Sequence, residues 1–149
     1  MYANLTGEDL YAQTKSVIAA MKTEGVKRLI FILSLGIYDE IPGAFGEWNN
    51  ATIGEDLKPF HRSADAIEVS SLDYTIVRPA WLTDENKVDY ELTRRDETRR
   101  DEPFKGTVIS RKSVADLIVK IIRSPDRPAR SGNLGVNKPG TDGNKPYFM

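Results

Sequence analysis

Lys27-Arg28-Leu29-Ile30-Phe31-Ile32-Leu33-Ser34-Leu35-Gly36 is the stretch whose reading decides the fold. Six apolar residues stand between Leu29 and Leu35, interrupted only by Ser34, and they do not alternate with polar ones. A strand with one wet face alternates, whereas a strand covered by helices on both faces of a parallel sheet reads as a continuous apolar run. The stretch therefore predicts a central strand over residues 27–35. In an open α/β sheet the carboxyl ends of the strands form the crevice where ligands bind, which puts Ser34, Leu35 and Gly36 where chemistry is expected. The same three residues equally suit a plain turn of the chain.

Working outward, Met1 to Leu5 is long enough only to finish a strand. Thr6 reads as a helix cap with Asp9 in the first turn, and Leu10, Thr14, Val17, Ile18 and Met21 recur at helical spacing until Gly25 stops them. Beyond the central strand, residues 37–50 form a loop rich in glycine, proline and aromatics, read either as a lid over a ligand or as a packed surface loop. A helix over 55–70 follows, with Leu57, Phe60, Ala64 and Ile67 on one stripe. Residues 72–79 make a second strand ended by Pro79. A right-handed crossover sets these two strands parallel.

Residues 81–107 read as polar and irregular, apart from a short helix around 88–92. Within them Thr93-Arg94-Arg95-Asp96-Glu97 is repeated as Thr98-Arg99-Arg100-Asp101-Glu102. Each copy balances plus against minus, so the repeat reads as a surface insertion that lengthens a loop or extends a solvated helix. Ser110 caps an amphipathic helix whose Val114, Leu117, Ile118, Ile121 and Ile122 are expected to face inward and which Pro125 stops. A turn over 127–132, a short last strand over 134–137 and an extended tail from Pro139 complete the chain.

The elements make a single α/β domain over residues 1–149 with a mainly parallel sheet. With 21 Lys+Arg against 22 Asp+Glu and no evident basic face, nucleic acid is not an expected partner. The lack of cysteine and the single histidine, His61, exclude a structural zinc site and a cysteine nucleophile, so no metal is expected. No segment approaches the ~20 apolar residues of a membrane span, and a cytoplasmic location is expected. None of the eleven glycines forms a G-x-G-x-x-G or G-x-x-x-x-G-K-[ST] turn. Either no dinucleotide binds, or the part that grips its phosphates lies outside this chain.

Val26-Lys27-Arg28-Leu29-Ile30-Phe31-Ile32-Leu33-Ser34-Leu35-Gly36-Ile37-Tyr38, then Leu72-Asp73-Tyr74-Thr75-Ile76-Val77-Arg78-Pro79-Ala80-Trp81-Leu82-Thr83, then Ser110-Arg111-Lys112-Ser113-Val114-Ala115-Asp116-Leu117-Ile118 together resemble an atypical short-chain dehydrogenase/reductase of the NmrA-like, NAD(P)-binding Rossmann subgroup. The resemblance implies the C-terminal part of a doubly wound parallel-sheet domain, lacking the N-terminal strands and the glycine-rich loop. Such a piece carries an open sheet edge, to be covered by a partner chain, by self-association or by a rearranged N-terminus. It further implies NADP or NAD as cofactor and a small carbonyl or quinone-like substrate, with a redox sensor without turnover, or a fragment inactive alone, as the other readings.

By resemblance, Ser34 matches the serine that hydrogen-bonds the substrate carbonyl. Phe60 and Ala64 stand where related enzymes carry the catalytic tyrosine and lysine. Tyr38 and, more remotely, His61 are then the other proton donors to consider. Arg78, Pro79, Ala80, Trp81 and Leu82 resemble the segment that lines the nicotinamide pocket, with Leu35 and Gly36 at the strand end and Asn4 near the cofactor ribose.

Overall fold

The computed structural model describes residues 1–96, 98, 100–124 and 132–149. In chain order the elements are β1 (Tyr2–Asn4), α1 (Leu10–Thr23), β2 (Arg28–Ile32), α2 (Gly43–Ile53), α3 (Lys58–Glu68), β3 (Asp73–Pro79), β4 (Trp81–Thr83), β5 (Glu91–Arg94), β6 (Val108–Ser110), α4 (Arg111–Arg123) and β7 (Gly132–Asn137). The main sheet runs β1-β2-β3-β7-β5, and only β5 is antiparallel to its neighbour. The expected α/β class with a mainly parallel sheet is what the chain forms.

The unbroken apolar run of β2 is explained by what lies on either side of it. Ile30 and Ile32 join one core with Val77, Leu134, Val136 and the α4 residues Val114, Leu117 and Ile121. Leu29, Phe31 and Leu33 point the other way, into a second core with Leu10 and Met21 of α1 and Ala64 and Ile67 of α3. Strand side chains alternate between faces, so two dry faces require apolar residues at every position. The β2 ladder runs on past Ile32, with Leu33 N–H donating to the Val77 carbonyl at 2.8 Å and Leu35 N–H to the Pro79 carbonyl at 3.2 Å. This extension carries Ser34 to the rim of the sheet.

Several expectations are corrected. Most of the loop read over 37–50 is the helix α2, which begins after Pro42 in an extended conformation. Two glycines and a polar, aromatic-rich sequence hid it, because its buried residues Phe45, Gly46 and Asn49 include one glycine and one amide. No helix forms at 88–92: residues 88–90 are irregular and β5 begins at Glu91, with a register that places Leu92 opposite Val136 and Thr93 opposite Gly135. Gly135 is required there, since a Cβ would meet Thr93 Oγ1 at 2.2 Å. Thr6 caps nothing: α1 starts at Leu10 with Asp9 at the cap position and no side-chain hydrogen bond. Ile122 points outward, 61% exposed, while Ser110 does cap α4, accepting from Ser113 N–H at 3.0 Å. β4 and β6 pair in a small parallel sheet of their own that was not expected.

The tail lies along this small sheet, with Lys138 N–H donating to the Val108 carbonyl at 2.8 Å and Thr107 Oγ1 to the Thr141 carbonyl at 2.7 Å. The stop at Pro125 and most of the turn read over 127–132 lie outside the described residues.

Candidate functional site: a cleft at the carboxyl edge of the sheet

The carboxyl ends of β1, β2 and β3 open into a cleft of about 680 Å³, closed on its far side by the first turns of α4. Neighbouring parallel strands stop at one edge of the sheet, where an open α/β fold leaves a ligand crevice. Asn4, Ser34, Leu35 and the run Pro79, Ala80, Trp81, Leu82 all line it, so the structure brings together most of the residues selected from the sequence. Sequence reading missed Tyr2, Ile53, Arg111 and the α4 residues Val114, Ala115 and Ile118. The helical stripe of α4 was legible, but nothing local says that its first turns reach the sheet edge.

Ser34 is half-buried at the rim, its hydroxyl donating to the Leu35 carbonyl at 3.1 Å. A lone contact to an adjacent carbonyl is a weak local bond that a ligand oxygen can replace. Trp81 is fixed from behind. Its indole N–H donates to Asn49 Oδ1 at 2.9 Å, and its ring sits 5.2 Å from that of Trp48, so α2 braces the wall of the cleft. Phe60 lines the cleft from α3, four residues before the fully buried Ala64. The position matched to a catalytic tyrosine therefore does face the cleft, and it presents a ring without a proton to give.

Gly36, Tyr38 and Arg78 do not line the cleft; they meet at Glu40 instead. Arg78 is fully buried, its Nη1 2.8 Å from Glu40 Oε1 and its Nε donating to Asn133 Oδ1 at 2.7 Å. Glu40 also accepts from the backbone N–H of Gly36 at 2.7 Å and of Tyr38 at 2.9 Å. This one carboxylate thus ties the loop after β2 to the end of β3. The Tyr38 hydroxyl donates to Glu68 at 3.0 Å and accepts from Asn133 Nδ2 at 2.9 Å, while the Arg95 guanidinium covers its ring at 3.7 Å. Burial, and then the Glu68 carboxylate beside it, raises the phenol well above its ordinary value. Held that way, Tyr38 is a poor proton donor and a good structural one. His61 is likewise engaged away from the cleft, with Nδ1 2.6 Å from the Ile37 carbonyl and Nε2 3.4 Å from Asp65.

Among the described residues no group of acidic, histidine or cysteine side chains could hold a metal ion, and no helix is long and apolar enough to cross a membrane.

The family model described as NAD(P)H-binding matches residues 2–125. A Rossmann-fold NAD(P)-binding family protein from Shigella flexneri is 59% identical, with a TM-score of 0.75 over 99% of this chain and 64% of that one. A short-chain dehydrogenase/reductase from Veillonella parvula DSM 2008, solved in complex with NADP, is 27% identical, with a TM-score of 0.84 over 93% of this chain and 63% of that one. ChuY, an anaerobillin reductase from Escherichia coli O157:H7, shares the fold, with a TM-score of 0.71 at 22% identity over 95% of this chain and 65% of that one. The chain thus spans a little under two thirds of the length of these structures. No curated protein matches it.

Proposed function

The chain belongs to the NAD(P)H-binding, Rossmann-fold oxidoreductase-like family, and on that premise we propose that it serves an NAD(P)-dependent reductase of a small carbonyl or quinone-like substrate. The observation that carries the reading is the convergence of Ser34 and the run Pro79 to Leu82 on one apolar cleft at the carboxyl edge of a parallel sheet. The residues present fit the nicotinamide end of a dinucleotide. Asn4 and Leu35 stand at the strand ends, and Pro79, Ala80, Trp81 and Leu82 offer a braced wall for a flat ring. When bound, the nicotinamide supplies or accepts hydride.

The chain's own part is to bind, orient and dry the site. Ser34 turns its hydroxyl from the Leu35 carbonyl to the substrate oxygen, and the apolar walls keep water from the reacting carbon. The test is a titration of the 149-residue chain with NADPH and NADH, following nicotinamide fluorescence. Saturable binding is the expected result, and a folded sample that binds neither overturns the reading. In a substrate screen that finds turnover, Ser34→Ala lowers kcat by roughly 10²-fold, as loss of one oxygen-binding donor does.

A second reading is favoured by Phe60 and Ala64, which replace the tyrosine and lysine of related enzymes: the cleft binds the dinucleotide and reports its redox state without turnover. Binding of both cofactors with no turnover across a carbonyl and quinone panel decides for it. A third is favoured by the absence of a glycine-rich turn among the eleven glycines, and assigns the phosphate grip to residues outside this chain. In each reading the protein is taken as cytoplasmic, its partners are small molecules and neither nucleic acid nor membrane, and a second copy or a partner chain covers the outer edge of β1.

A further inference from the structure

Among the described residues lining the cleft, Arg111 is the one that carries a charge; the remaining walls are apolar or neutral. It is the first residue of α4, held at the cleft by the Ser110 cap behind it. Its guanidinium Nη1 lies 2.7 Å from Asp84 Oδ1, and the two side chains are 58% and 88% exposed. An ion pair that wet contributes little to stability, so Asp84 holds Arg111 in place and gives it up at little cost. The same guanidinium facing an anion at an apolar wall is screened less and forms a stronger, fork-shaped contact. An apolar cleft with a single cation at its rim is complementary to an amphiphile with a single anionic group.

We infer that the substrate of this cleft is an apolar, ring-sized carbonyl or quinone bearing one carboxylate or comparable anion, and that Arg111 receives that anion in exchange for Asp84. The inference rests on reading the cleft as the substrate end of a nicotinamide site. An anionic group on an apolar body has two possible sources, the substrate and the ribose phosphate of the cofactor; the assignment is to the substrate.

The test uses two fluorescent probes of nearly the same body, 1-anilinonaphthalene-8-sulfonate and its uncharged parent N-phenyl-1-naphthylamine, titrated into the cofactor-free chain. Near-ultraviolet circular dichroism confirms that each variant is folded. Arg111→Ala is expected to weaken the sulfonate about tenfold and leave the uncharged probe unchanged. Arg111→Lys restores much of the loss, and Asp84→Asn strengthens the sulfonate. Equal affinity of the sulfonate for Arg111→Ala and the unaltered chain overturns the inference, as does an equal weakening of both probes.

Nicotinamide mononucleotide, which carries the ribose phosphate without the rest of the dinucleotide, decides the source. If it displaces the sulfonate and itself weakens in Arg111→Ala, the anion belongs to the cofactor and the substrate assignment falls. The probe titrations need no dinucleotide. A failed NADPH titration with the Arg111-dependent probe difference intact therefore sinks the proposed function, and with it the carbonyl or quinone assignment, while Arg111 stands as the anion receptor of the cleft.

Discussion

Arg78 carries the largest of the fully buried side chains, and its guanidinium is spent on Glu40 and Asn133 rather than on a ligand. Removing one partner of a buried pair strands the other charge in a medium of low polarity. Arg78→Met is accordingly expected to cost about 3–5 kcal/mol in urea denaturation. Arg78→Lys also destabilises, since a single ammonium cannot reach both the Asn133 amide oxygen and the Glu40 carboxylate as the fork does. Tyr38 lies against the same guanidinium, 5.3 Å from ring centre to the Arg78 carbon. Because folding raises its pKa above the ordinary phenol value of 10.0, the folded state holds the phenolic proton more tightly than the unfolded chain. That contribution is complete below about pH 10 and is lost as pH rises past it. Stability measured from pH 9 to 11 should therefore fall more steeply in the unaltered chain than in Tyr38→Phe, and parallel curves would refute the assignment.

Among the elements, the duplicated segment is the least expected. It folds back on itself: Glu102 N–H donates to the Arg94 carbonyl at 2.9 Å, and Asp96 N–H to the Arg100 carbonyl at 2.9 Å. The second arginine of each copy then pairs with the aspartate of the other, Arg95 with Asp101 at 2.6 Å and Arg100 with Asp96 at 3.0 Å. Two identical copies thus acquire opposite environments. The first pair is largely buried and reaches Glu68 and the Tyr38 ring, while in the second Arg100 is open to water. Asp101→Asn should cost about 1–3 kcal/mol, as loss of a buried charge-assisted bond does. Asp96→Asn should leave the denaturation midpoint almost unmoved. The turn after β2 is equally demanding. Gly36 has φ +81°, and a Cβ there would sit 2.7 Å from Asn49 Nδ2, the amide that positions Trp81. Gly36→Ala is expected to cost about 1–3 kcal/mol and to shift the tryptophan emission, because Trp81 loses its fixed partner.

For the whole molecule, two apolar cores on opposite faces of one sheet carry the fold, and among the described residues β1 stands at the sheet's end with one neighbour. An unpaired edge on a sheet buried on both faces invites another strand. Light scattering after size exclusion should show a mass above the 16.7 kDa chain that falls on dilution; a single monomeric mass at every concentration would refute it. The parallel α/β class, the central strand, the α4 helix with its Ser110 cap and the residues at the rims of β2 and β3 were all legible in the sequence. Each leaves a local mark: burial on two faces makes a continuous apolar run, burial on one makes a 3.6-residue stripe, and strand ends fall on small or polar residues. What only the tertiary structure decided is who meets whom. β7 enters between β3 and β5, α2 replaces an apparent loop, Arg78 turns to Glu40 instead of the cleft, and Arg111 arrives at its rim. Spacing along the chain records which face a residue needs, but the partner of a buried charge and the neighbour of a strand are chosen by packing between segments far apart in sequence.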